Sequence, residues 1–132
     1  MNAEQAVREA WPTVYCNSYD GLDLHVVTLV NETHTTYIKQ VESASLDEAW
    51  TAALAYTEER GEQIRLKWEE IDSTKSDVRW FAQGGQLEDR RQEAIHQRIL
   101  TTLEQQYADL VRPMRAEWVE KVTKEKKCLM NR

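Results

Sequence analysis

Ser45-Leu46-Asp47-Glu48, followed by Ala49, Trp50, Ala53, Leu54, Thr57, Gly61, Ile64, Trp68 and Ile71, is the stretch that decides the fold. Steps of three and four put these residues on one face of an α-helix. A serine three residues ahead of a glutamate is a capping box: the Ser45 hydroxyl accepts the Glu48 backbone N–H, and the glutamate carboxylate accepts the serine N–H. The helix start is thus chemically specified, and the periodicity predicts a long helix over residues 46–71. Gly61 falls on the apolar side, where glycine costs about 1 kcal/mol against alanine. It reads as a close approach by another backbone or as a tolerated defect.

A second stripe at Ile95, Ile99, Leu103, Tyr107, Leu110, Met114, Trp118 and Val122 predicts another long helix over residues 87–127. Pro113 interrupts it, so a kink or a break is expected there, because an interior proline removes one hydrogen bond and clashes with the preceding turn. Between the stripes, Ser73, Thr74, Ser76 and Gly84-Gly85 disturb the period. Residues 73–86 are therefore read as a connector and hinge, with one short helical turn over 77–83 capped by Ser76.

Ahead of residue 45 the character changes. Asn2 is placed to cap a short helix that Trp11-Pro12 ends, since proline disfavours the helical conformation in the residue before it. Residues 13–41 are rich in β-branched and aromatic side chains and read as a three-stranded meander, with Asp20-Gly21 as the hairpin signal. In the second strand Leu22, Leu24, Val26, Thr28 and Val30 share one face, and Asp23, His25, Val27 and Leu29 the other. Three strands are not stable alone, so one face packs on the helices. The apolar surface left on the other face points to a partner or another subunit. The fold class is α+β in a single domain: a short helix plus a β-meander (residues 1–44) whose small three-stranded antiparallel sheet packs on two long helices (residues 45–72 and 87–127).

At 132 residues the chain is one domain's worth, and five Trp with five Tyr argue against disorder, which depletes aromatics. The net charge of −6 opposes binding to a phosphate backbone, so direct nucleic-acid binding is not expected. Cys16 and Cys128 lack CxxC spacing and are read as free thiols in a reducing cytosol. The N-terminus lacks the pattern of a signal peptide, which makes the Asn31-Glu32-Thr33 sequon a chance match. No apolar run approaches the roughly 20 residues that span a bilayer. A cytoplasmic location without membrane contact is expected.

His25, His34 and His96 have no neighbours at metal-binding spacing, and successive carboxylates such as Glu58-Glu59 diverge by about 100° on a helix. Gly84-Gly85 lacks the lysine of a phosphate loop. No enzyme activity, metal or cofactor is therefore expected. The best binding constellation is Arg79, Trp80 and Phe81 with Arg90 and Arg91, because guanidinium forks match carboxylate or phosphate and aromatic faces stack. The plainer alternative is that Trp80 and Phe81 plug the end of the helix pair while the arginines pair with Glu88, Asp89 and Glu93. On the sheet, Tyr15, Tyr19, Tyr37 and His25 are side chains of the kind enriched at interfaces.

The order of elements, a small antiparallel sheet followed by two long helices in an acidic chain, is similar to that of small phage-encoded accessory and counter-defence proteins. These include the oligomeric sponges that sequester nucleotide signals of the Thoeris system. The similarity covers element order and carries over no residue. Three functions compete. The first is a non-enzymatic homo-oligomer, joined through its long helices, that binds a protein or a small anionic ligand stoichiometrically. The second is an acidic inhibitor that imitates nucleic acid with the face spanning Glu58 and Asp72. The third is an enzyme with a composite site.

Overall fold

The computed structural model describes residues 2–19 and 21–130, and the side chains of residues 125–130 lie outside that description. The fold is α+β. Its elements are α1 (Ala3–Ala10), β1 (Val14–Tyr19), β2 (Leu24–Val30), β3 (Tyr37–Ser43), α2 (Leu46–Ala82), α3 (Leu87–Val111) and α4 (Ala116–Met130). Asn2 caps α1 as expected, its Oδ1 accepting the Gln5 N–H at 2.8 Å while Gln5 Oε1 accepts the Asn2 N–H at 3.1 Å. The expected free thiol at Cys128 falls among side chains outside the description.

The strands form an antiparallel meander in the order β1-β2-β3. Tyr19 pairs with Leu24, and residues 21–23 lie in the first turn. Of the Asp20-Gly21 signal, Asp20 lies outside the described residues, and positive φ falls on Asp23 (45°) rather than on Gly21. Val27 and Leu29 are the β2 side chains that join the core, with Val14, Cys16, Ile38 and Val41 packed around them. In β3 the register skips: Leu29 pairs with Lys39 and Val30 with Tyr37, leaving Ile38 as the extra residue of a bulge.

The capping box of α2 closes by a longer route than expected. Ser45 Oγ accepts the Glu48 N–H at 3.4 Å, but the return leg runs through Ser43, whose Oγ accepts the Ser45 N–H at 3.2 Å and donates to Glu48 Oε2 at 3.1 Å. The helix then runs 37 residues, about 55 Å at 1.5 Å per residue, and does not end at Ile71. The expected hinge over 73–86 is therefore corrected to a connector of residues 83–86. The reason is packing: Ile71 and Val78 continue the inward face of α2 and meet Leu100 and Leu103 of α3 in a second apolar cluster, and Thr74 is buried beside them in the same period. Tertiary burial outweighs the weak helix preference of Ser73, Thr74 and Ser76.

Pro113 breaks the last helical region into α3 and α4 rather than kinking it. The break is used: Arg115 donates its backbone N–H to Ala10 O at 2.9 Å and its Nε to Arg8 O at 3.1 Å, capping the open carbonyls of α1. At the centre sits Trp11, fully buried, whose Nε1 donates to Thr57 Oγ1 at 2.9 Å. Arg60 lies over the same ring at 5.4 Å and gives two hydrogen bonds, of 3.1 and 3.0 Å, to Leu110 O near the end of α3. Gly61 is explained by a side chain and not by a backbone: a Cβ there would stand 3.3 Å from the Trp118 ring of α4.

Two outcomes follow for stability. Thr57→Val removes the acceptor of a buried indole N–H and should cost about 1–3 kcal/mol in urea unfolding, whereas Trp11→Ala should cost about 3–5 kcal/mol through lost volume. Equal, negligible losses for both would show that Trp11 is not the keystone. Tyr107 bridges the two apolar clusters, and burial raises its phenol above the ordinary value near 10. A raised value means the fold favours the neutral phenol, so this contribution is whole below pH 10 and fades as pH climbs through the folded value. Tyr107→Phe should therefore flatten the alkaline decline in melting temperature above pH 10 while leaving the neutral-pH value nearly unchanged.

Candidate functional site

The far end of the α2–α3 hairpin holds all five residues singled out from sequence. Its turn is tight. Gly84 donates its N–H to Phe81 O at 3.1 Å, and Asp89 Oδ2 accepts the Gln86 N–H at 3.3 Å at the start of α3. Any Cβ on Gly84 would collide with the Asp89 carboxylate, so the glycine is required by close approach.

The five residues do not converge. Phe81 turns into the hairpin seam, its ring 5.0 Å from that of His96, and so takes the plug role of the plainer alternative. Trp80, one residue earlier and about 100° around the helix, is 73% exposed. It lines a shallow depression with Gln83, Gly84 and Asp89. Arg79 is exposed and donates to Ser76 Oγ at 3.3 Å. Arg90 and Arg91 are exposed on the first turns of α3, and among the described residues neither makes an ion pair of the kind expected with Glu88, Asp89 or Glu93.

This geometry is poor for a small anion. The positive end of the α3 macrodipole is already met by Glu88 and Asp89 in its first turn, and the depression beside Trp80 contains a carboxylate rather than a guanidinium. The acidic face of α2 is also interrupted by cations: Glu62 pairs with Arg65, and Glu70 lies 3.9 Å from Lys67. Exposed apolar side chains continue along α3 at Leu87 (65%), Ile95 (48%) and Ile99 (44%), because the seam passes through Leu100 and Leu103 instead. Trp68 is only half-buried and Leu46 is exposed, so these two members of the first predicted stripe contribute less to the core than Ile64 and Ile71 do.

Sequence reasoning noted the sheet tyrosines without placing them. They rim a second concavity, on the sheet face turned away from the helices. Its floor is Val26, Thr28 and Val30, its walls Tyr15, Tyr19 and Tyr37, with Asn17, His34 and Gln40 completing it. The bulge at Ile38 brings Tyr37 opposite Val30 and Gln40 opposite Thr28, with Gln40 Nε2 donating to Thr28 Oγ1 at 3.2 Å. His34 has a φ of 59° and hydrogen-bonds through Nδ1 to the Tyr15 hydroxyl at 2.5 Å. Asn31 holds that loop, its Oδ1 accepting from Thr35 N and Thr36 N at 2.9 and 3.2 Å. Among the described residues, no Lys, Arg, Asp or Glu lines the concavity. In a chain with 30% charged residues, such a neutral, tyrosine-rich patch has the composition of an interface core.

Among the described residues no group of His, Cys, Asp and Glu is arranged to hold a metal ion, and no helix is long and apolar enough to cross a membrane. Comparison with protein families, with curated proteins and with solved structures finds no match.

The hairpin turn can be tested by a double-mutant cycle. Gly84→Ala should destabilise the protein, and by less once Asp89→Gly has removed both the carboxylate and the Cβ that stands 2.7 Å away, giving a coupling of about 0.5–3 kcal/mol in chemical denaturation. Strict additivity would show that Gly84 is not held by Asp89.

Proposed function

We propose that this chain is a non-enzymatic binding protein that captures a protein partner stoichiometrically at the tip of its helical hairpin. The observation that carries this reading is Trp80, 73% exposed at the end of a 37-residue helix. A tryptophan left in water loses the burial that makes it favourable, and Trp with Arg is the composition of binding hot spots. Arg79, Arg90 and Arg91 crowd the same end with no ion pair among the described residues, so their guanidiniums are available to a partner's carboxylates. The Asp89 carboxylate beside Trp80 favours a protein over a small anion as that partner.

The exposed stripe of Leu87, Ile95 and Ile99 offers homo-oligomerisation through the long helices as an alternative mode of assembly. Element order links this mode of action to small phage-encoded accessory or counter-defence inhibitors, which occupy a target rather than transform it.

Native mass spectrometry of protein purified gently from its own cells tests the reading. A protein partner in integer ratio is expected, retained by the unaltered chain and lost from Trp80→Ala with the melting temperature held. A retained small molecule, or a complex indifferent to Trp80→Ala, would overturn it.

A further inference from the structure

We infer that two copies of this chain join edge to edge through β1, antiparallel about a two-fold axis at Cys16, to make one six-stranded sheet. The inference is independent of the hairpin tip and rests on the sheet's hydrogen bonds. Thr13 O accepts the Val30 N–H at 3.2 Å, and Val14 pairs with Leu29. In an antiparallel ladder N–H and C=O of one residue point the same way, so Tyr15, Asn17 and Tyr19 bond to β2, and the backbone groups of Val14, Cys16 and Ser18 point outward.

The two edges of the sheet are treated differently. β3 carries Lys39 and Glu42, contains the bulge at Ile38 and packs against α2. These are the devices by which proteins protect an edge from pairing. β1 has none of them: Val14-Tyr15-Cys16-Asn17-Ser18-Tyr19 contains no charge, proline or register skip, and no helix packs along it to a comparable extent. An open, uncharged edge of this length is a template for another strand.

A second copy is the occupant that the residues favour. With the axis at Cys16, Val14 of each copy faces Ser18 of the other and the two Cys16 residues face each other, so all three outward pairs are satisfied by about six backbone hydrogen bonds. Chains of net charge −6 repel one another, and this strand is a place where two can meet without bringing like charges together. The same pairing sets Tyr15 of one copy beside Asn17 of the other on the outer face. The two neutral concavities then run together, each copy lending side chains to the other's wall.

The test uses the full chain with Cys128→Ser, so that position 16 carries the one thiol. Sedimentation should give a two-copy mass, and mild oxidation should link the copies through Cys16, because directly opposed residues in such a pair lie about 5.5 Å apart at Cα, within disulfide reach. Ser18→Pro deletes an outward N–H that β2 does not use and should shift the mass to one copy with the circular dichroism unchanged. Ser18→Ala removes the hydroxyl that bonds His25 Nδ1 at 2.7 Å but keeps that N–H, and should leave the two-copy mass intact. A single-copy mass at all concentrations would overturn the inference. So would a two-copy species that Cys16 does not cross-link, or one abolished by Ile99→Glu while Ser18→Pro leaves it whole, which places the contact on α3. The cross-link keeps the test decisive should Ser18→Pro fail to fold.

Discussion

The indole of Trp11 ties three helical segments together that would otherwise touch only at their surfaces. Its N–H donates to Thr57, whose hydroxyl in turn donates to Ala53 O at 2.7 Å, so the one polar atom of a buried ring is satisfied within α2. Tyr56 stacks beside it at 6.3 Å, and Arg60 covers the ring while reaching Leu110 O on α3. A buried donor without an acceptor costs more than the bond itself contributes. The register between α1 and α2 is accordingly set by one hydrogen bond, and the α2–α3 crossing by a guanidinium anchored on the same ring.

From that knot the molecule divides into a head and a rod. The head contains α1, the sheet, the first half of α2 and α4, closed by Arg115 on the carbonyls of α1. The rod is the remainder of α2 laid against α3. The head buries large side chains on several sides, whereas the rod has one seam, with Ile71, Leu100 and Leu103 as its buried apolar residues among those described. Two helices can cover only one stripe of each other, and this is why Ile95, Ile99 and Trp80 stay in contact with water.

Features coded by neighbouring residues were legible in the sequence: the caps at Asn2 and Ser45, the β-branched strands, and the break at Pro113. The inward face of α2 was read from period alone, and Ala49, Trp50, Ala53, Thr57, Gly61, Ile64 and Ile71 are all buried. What depended on distant contacts was not legible. Ser73, Thr74 and Ser76 look like a loop until α3 is laid against them. Trp11 looks like a helix stop, since its acceptor lies 46 residues away. At the hairpin tip, composition identified the right end of the molecule, but only the helix rotation separates Trp80, facing water, from Phe81, facing His96. The outer concavity of the sheet needs the skipped residue at Ile38 to assemble, and a two-residue alternation cannot reveal a skip.

The unbroken course of α2 has a mechanical meaning. Ser45, held to the end of β3 through Ser43, and Trp80, at the opposite extreme, belong to one stiff element of about 55 Å. Tilting such a beam by one degree at the sheet sweeps its tip by about 1 Å, from the same length. A load placed on the tryptophan is therefore felt as torque where the beam enters the head, against the grip of Trp11 on Thr57 and of Arg60 on Leu110.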